Sequence, residues 1–205
     1  MILRKTLYYI IAICAISIGV YPAIYFIIDR KFGLLASKSE ILLADVLWNT
    51  MFYTHIILGG IALLIGWIQF NKKFRKKNLA LHKKIGKVYV FCCLISGIAG
   101  FYIALHATGG ISPKFGFTAM ALFWFFTTLF AFTSIKKGKV IKHQKLMIYS
   151  YAACFSAVTL RIWLPILTIN LGGFLPAYRI VAWLSWVPNI IVAYFIIKNL
   201  QLKTI

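Results

Sequence analysis

The chain has 205 residues, of which 62% are hydrophobic and 13% are charged, and its formal net charge is +20. A soluble domain carries roughly a quarter charged residues, so this composition excludes an ordinary soluble fold and indicates a polytopic membrane protein. A nucleic-acid-binding surface is also excluded, because 17 of the 23 basic residues lie at the two chain ends and in two loops between apolar segments. Basic residues on alternate ends of apolar segments are the pattern that the positive-inside rule produces.

The apolar segments predict an all-α membrane protein with six transmembrane helices in a single integral membrane domain, residues 1–205. The predicted helices cover about residues 6–28, 44–70, 85–106, 115–135, 144–168 and 176–197. The first segment is longer than the roughly 7–15 apolar residues of a signal peptide, so we interpret it as a retained helix that bends at Pro22. The sixth carries Ser185 and Asn189 on its more polar face, with a kink expected at Pro188.

Two loops carry most of the positive charge. Residues 71–87 contain eight Lys or Arg and no acidic residue, and residues 136–145 contain five more basic residues. Positive loops resist translocation, which predicts that both loops and both chain termini are cytoplasmic in a bacterial inner membrane. Basic clusters beside membrane helices attract anionic lipid headgroups, which are therefore the expected partner, whereas nucleic acid is not.

The polar and small residues of the second helix fall on one face at helical spacing. That face contains Asp45, Asn49, Phe52, His55, Gly59, Ala62, Gly66 and Gln69. Helices 3 to 5 show comparable faces, and in a bilayer such faces pack against other helices. We therefore expect helices 2–5 to form a central four-helix bundle flanked by helices 1 and 6. A homodimer through helix 1 or helix 6 is compatible with this arrangement.

Ionisable residues inside membrane segments are functional candidates, because burying a charge there is costly unless it is paired or hydrated. By the rise per residue, His55 lies ~15 Å and Arg161 ~10 Å from the outer side. Together with Asp45 and Asn49 they form a predicted intramembrane polar pocket, with Arg161 meeting the polar face of helix 2. The alternative is a structural lock between an arginine and an acid or a carbonyl.

A second pair of candidates, His82 and His143, lies at the predicted cytoplasmic membrane edge. Each opens a helix after a basic loop, which suggests two related hairpins, helices 2–3 and helices 4–5. Histidine is the commonest ligand of metals and haem, so these two are candidate ligands of haem b or a metal. The alternative is that both are interfacial residues, as we expect for His106. Gln69 and Tyr89 are further polar candidates at the same edge.

Several motifs resemble those of a known family. They are His55-Ile-Ile-Leu-Gly59, Gly66-Trp-Ile-Gln69-Phe70, His82-Lys-Lys-Ile-Gly86-Lys-Val-Tyr89, Gly109-Gly110, His143-Gln-Lys-Leu-Met147 and Val158-Thr159-Leu160-Arg161. Over about residues 50–165 the chain is similar to domain of unknown function family 2306, a bacterial and fungal family of predicted membrane proteins. The family form has His-Arg where this chain has His82-Lys83 and His143-Gln144, which argues against an arginine-based role there. The resemblance implies a polytopic membrane protein and carries no established activity.

Three functions remain open from the sequence. The first is haem- or quinone-linked electron transfer, which the histidines and the four-helix core favour. The second is a small transporter or channel for an anionic or lipid-like substrate, with Arg161 binding the anion. The third is a non-catalytic membrane assembly protein. The sequence does not name a substrate or a reaction.

Overall fold

The computed structural model describes residues 2–28 and 33–201, and within these ranges every regular element is a helix. The α-helices are α1 (Ile2–Val20), α2 (Glu40–Ala44), α3 (Val46–Gly66), α4 (Lys72–Lys77), α5 (Leu79–Leu105), α6 (Ile111–Lys136), α7 (Val140–Cys154), α8 (Ser156–Asn170), α9 (Phe174–Leu184) and α10 (Val187–Gln201). Short 3-10 helices occupy Tyr21–Phe26, Gly33–Ser37 and Trp67–Phe70. The all-α class is therefore confirmed. The predicted topology rests in part on the two chain ends, and residues 1 and 202–205 lie outside the described residues.

Six helical segments of the described chain are long and apolar enough to cross a membrane. They are Thr6–Phe26, Val46–Phe70, Leu79–Leu105, Ile111–Lys136, Val140–Asn170 and Phe174–Leu200. This confirms the predicted number of helices and their order. The first segment changes from α-helix to 3-10 helix at Tyr21, directly before Pro22, where the bend was predicted.

The chain forms two compact units, Met1–Ser96 and Gly97–Ile205, and α5 contributes residues to both. In the first unit α1 packs on α3. Their backbones meet at Gly19 and Gly60, since a Cβ atom added to Gly60 would lie 2.6 Å from the Gly19 carbonyl oxygen. Only glycine permits so close an approach. The single domain predicted from the sequence stays a prediction.

In the second unit α6 packs on α7 and α9, α8 packs on α9, and α10 packs on α7. The α6–α7 hairpin turns within three residues, and Gly138 takes the left-handed conformation that the turn needs, with φ +71°. Its N–H donates to Ile135 O, and the next N–H donates to Ser134 O, which closes the end of α6. The contacts inside each unit are those of packed helices, consistent with the predicted bundle.

Candidate functional site

Asp45 and Asn49, two residues of the predicted polar pocket, stabilise the beginning of α3. The Asp45 carboxylate accepts hydrogen bonds from Leu47 N at 2.8 Å and Trp48 N at 3.0 Å. The Asn49 amide donates to Leu43 O at 2.8 Å and to Asp45 O at 2.7 Å. A carboxylate at a helix N-terminus satisfies free N–H groups and complements the helix dipole. Both side chains therefore hold the bend between α2 and α3.

His55, the third residue of that pocket, ties α3 to α5 inside the first unit. Its Nδ1 lies 2.9 Å from Ser96 O and 3.1 Å from Ser96 Oγ, and Ser96 Oγ donates to His55 O at 2.9 Å. Ser96 is fully buried. A carbonyl oxygen can only accept, so Nδ1 carries the proton and the lone pair of the ring lies on Nε2. The sequence placed His55 on the polar face of the second helix and Ser96 on the comparable face of the third, but it did not predict the bond between them.

Arg161, the fourth residue, belongs to the second unit and is half-buried. Its Nη1 donates to Ala157 O, one turn earlier on α8, at 2.9 Å. Asp45, Asn49 and His55 belong to the first unit, so the pocket that would join them with Arg161 stays a prediction.

His143 is anchored to the neighbouring helix of its own hairpin. Its Nδ1 lies 2.9 Å from Ala131 O of α6, which again places the proton on Nδ1 and the lone pair on Nε2. Two turns further on, the buried hydroxyls of Thr128 and Ser150 are 2.7 Å apart. The polar contacts of the α6–α7 hairpin thus run along one seam, with His143 at its loop end.

Gln69 and Tyr89, the polar candidates at the membrane edge, are both buried in the first unit, with Gln69 7% exposed. Gln69 lies in the 3-10 helix that ends the second span, and its Oε1 is 3.9 Å from the position of a Cβ atom added to Gly86. Helical spacing puts His82 on the Gly86 face of α5, one turn nearer the basic loop, where it is half-buried.

The fifth and sixth spans are each interrupted inside the membrane segment. The fifth changes hydrogen-bond pattern at Phe155, between α7 and α8, and the sixth does so at Ser185 and Trp186, between α9 and α10. The second interruption directly precedes Pro188, which lacks an N–H and crowds the carbonyl one turn earlier. The helix is thus interrupted just before Pro188, where a kink was predicted.

Polar side chains bridge these two interruptions. The Thr159 hydroxyl donates to Ser185 O, and Asn189 Nδ2 lies 3.1 Å from both Thr159 Oγ1 and Ser185 O and 3.3 Å from Ala152 O. We call this group, Ala152, Thr159, Ser185 and Asn189, the span 5–6 junction. Thr159 was missed as a polar site residue, since a lone threonine in an apolar helix resembles any lipid-facing position.

Among the described residues, no three His, Cys, Asp or Glu side chains gather as a metal cluster. Six apolar helical spans with hydrogen bonds between helices in the interior of each unit define a polytopic helical membrane protein.

The family described as "Predicted membrane protein (DUF2306)" matches residues 52–197, and the chain belongs to this family. The match covers most of the chain and confirms the resemblance seen in its motifs. No curated protein and no solved structure matches the chain.

Proposed function

We propose that the protein is a membrane electron carrier that uses His143 as a ligand of haem b. The observation that supports this is the bond between His143 Nδ1 and Ala131 O. Histidines that ligate metals donate their other ring N–H to a carbonyl or carboxylate, which fixes the tautomer and the ring orientation. A haem iron takes one or two protein ligands, so it does not require a cluster of three. A bound haem would supply a one-electron redox centre.

The absorption spectrum tests this proposal. Protein purified from haem-replete cells is expected to show a Soret band, and His143→Ala is expected to remove most of it. His106→Ala is the matched control: His106 Nδ1 also reaches a carbonyl, but that of Tyr102, four residues earlier in the chain, and not one on a neighbouring helix, so this variant should keep the band. His82→Ala tests the other candidate ligand separately. A colourless wild-type protein that takes up no added hemin contradicts the proposal, as does an undiminished band in His143→Ala.

A second function, transport of an anionic or lipid-like substrate, is favoured by the span 5–6 junction. Many transporters form their substrate sites where interrupted helices meet inside the membrane. Ser185 Oγ is buried there and has no hydrogen-bond partner among the described residues. The Ser185 hydroxyl can donate to an anion or to a lipid headgroup, while Thr159 and Asn189 hold the backbone around it.

Proteoliposomes test the transport alternative through chloride efflux and the translocation of fluorescent phospholipid. If the junction is the site, Asn189→Leu should lower the rate at least about tenfold, since a buried hydrogen-bonding group is lost from the site. Asn170→Leu is the matched control, because Asn170 is exposed and its amide donates to Ile166 O within α8. Rates equal to those of protein-free vesicles contradict transport of both probes. Negative spectra and negative fluxes together would leave a non-catalytic assembly role.

We also propose that α4 and the α6–α7 connection face the cytoplasm of a bacterial inner membrane, with both chain ends on the same side and the basic residues against anionic headgroups. Cysteines placed at Lys76 and Ser112, which are both exposed, in a cysteine-free background report the topology. A membrane-impermeant thiol reagent added outside should label Ser112→Cys and spare Lys76→Cys until the membrane is permeabilised. The reverse pattern would show an inverted topology.

A further inference from the structure

The side-chain amide of Gln69 is buried without a hydrogen-bond partner among the described residues. The residue is 7% exposed, and neither Nε2 nor Oε1 makes a hydrogen bond there. A buried polar group left unpaired destabilises a fold substantially, so native proteins pair nearly all of them. The amide therefore points to a group from outside the chain that offers both an acceptor and a donor.

The surrounding backbone fixes where this amide lies. Gln69 is part of the 3-10 helix Trp67–Phe70, and the next residue, Asn71, begins α4 by accepting a hydrogen bond from Lys73 N at 3.0 Å. Gly86 of α5 lies opposite the amide. A Cβ atom added to Gly86 would be 3.9 Å from Gln69 Oε1, which is an ordinary van der Waals distance. The six-residue helix α4 contacts the 3-10 helix.

The chain around this amide is strongly basic. Residues 71–87 contain no acid and the basic residues Lys72, Lys73, Arg75, Lys76, Lys77, Lys83, Lys84 and Lys87. Lys83 precedes Gly86 by one helical turn, so it lies on the same side of α5 as the amide, and it is exposed. A ligand reaching Gln69 passes these charges first, and they favour an anion.

We propose that Gln69 binds a phosphate group that has a hydrogen-bond donor beside it. Nε2 donates to a phosphate oxygen, Oε1 accepts from the neighbouring hydroxyl, and Lys83 balances the negative charge. Phosphatidylglycerol carries this pair of groups in its headgroup, and inorganic phosphate carries it as P–OH and P–O. Phosphatidylcholine has the phosphate but no donor. The proposal does not rest on His143 as a haem ligand or on the span 5–6 junction.

Thermal unfolding of the full chain in dodecyl maltoside tests the site with three additives. Phosphatidylglycerol is expected to raise the Tm by several degrees, and phosphatidylcholine at the same concentration is expected to leave it unchanged. A rise with inorganic phosphate and none with phosphatidylglycerol supports the same chemistry with a soluble anion as its source. No rise with either, or an equal rise with phosphatidylcholine, overturns the proposal.

Gln69→Leu separates ligand binding from a bridging water. Without lipid the variant should melt at a higher temperature than the wild type, because an unpaired buried amide has been replaced by an apolar side chain of similar size. The rise produced by phosphatidylglycerol should be lost. A variant that melts lower in detergent alone and keeps the full rise shows that water satisfies the amide, which overturns the proposal.

A surface variant keeps the test valid if Gln69→Leu fails to fold. Lys83→Gln removes one exposed charge near the headgroup and should raise the half-saturating concentration of phosphatidylglycerol about fivefold. Lys137→Gln, in the basic stretch of the second unit, is the matched control and should leave that concentration unchanged. If both variants raise the half-saturating concentration equally, the attraction to anionic lipid is non-specific, which overturns the proposal.

Discussion

Replacing Gly60 by alanine should destabilise the protein by about 1–3 kcal/mol, the usual cost of overpacking a close contact. The added Cβ atom would lie 2.6 Å from Gly19 O and 3.2 Å from Pro22 Cγ, and the first of these is a backbone atom that a side-chain rotation cannot move. A glycine-to-alanine change inside a helix otherwise gains roughly 0.5–1 kcal/mol. The steric cost exceeds that gain, so α1 must move away from α3.

Gly86→Ala is the matched control for this prediction. It makes the same substitution inside a helix of the same unit, but its Cβ atom would meet only Gln69 Oε1 at 3.9 Å, an ordinary contact. We expect its free energy of unfolding, measured by titration with sodium dodecyl sulfate, to equal or exceed that of the wild type. Equal stabilities of Gly60→Ala and Gly86→Ala would show that α1 and α3 do not meet as closely as described.

His55→Leu should destabilise the first unit by about 1–2 kcal/mol. The substitution removes the bond from Nδ1 to Ser96 O while keeping an apolar side chain of comparable size at the position. Hydrogen bonds between membrane helices contribute on average about 0.6 kcal/mol and at most about 1.7 kcal/mol, and His55 Nδ1 is placed for two acceptors on Ser96. Sodium dodecyl sulfate titration measures the change.

A double-mutant cycle shows whether the stability lost in His55→Leu comes from the contact between His55 and Ser96. Ser96→Ala removes the hydroxyl and leaves the carbonyl that His55 also contacts, so its effect should be smaller than that of His55→Leu. The two changes together should cost less than the sum of the single changes, because both act on one set of bonds. Additive effects would mean that the two side chains act independently.

The number and order of the spans could be predicted because membrane helices need about twenty consecutive apolar residues, and this property is local in the sequence. The boundaries were less accurate. The third helix begins at Leu79 rather than near residue 85, because Asn78 accepts a hydrogen bond from Leu81 N and the intervening lysines favour helix. Apolarity marks where a helix lies in the bilayer and does not mark where its hydrogen bonding begins.

For most contacts of the candidate site, the sequence predicted one of the two residues and missed the other. His55, Gln69 and His143 stood out as polar residues in apolar helices, but two of their neighbours are a backbone carbonyl of Ala131 and the bare backbone of Gly86. Every residue has a carbonyl, so sequence gives no signal for the one that a histidine will reach. Of the span 5–6 junction, Ser185 and Asn189 were predicted on the polar face of the sixth helix, whereas Thr159 and the carbonyl of Ala152 were missed.

The short turn at Gly138 bears on how the protein is made. Only three residues separate α6 from α7, and closing so short a loop costs little chain entropy. We therefore expect α6 and α7 to pair during synthesis, as soon as the second of them leaves the ribosome, since local contacts form fastest. The Thr128 and Ser150 hydroxyls would then enter the bilayer already bonded to each other. The two helices would then insert as one hairpin, with the hydrogen bond between them already made.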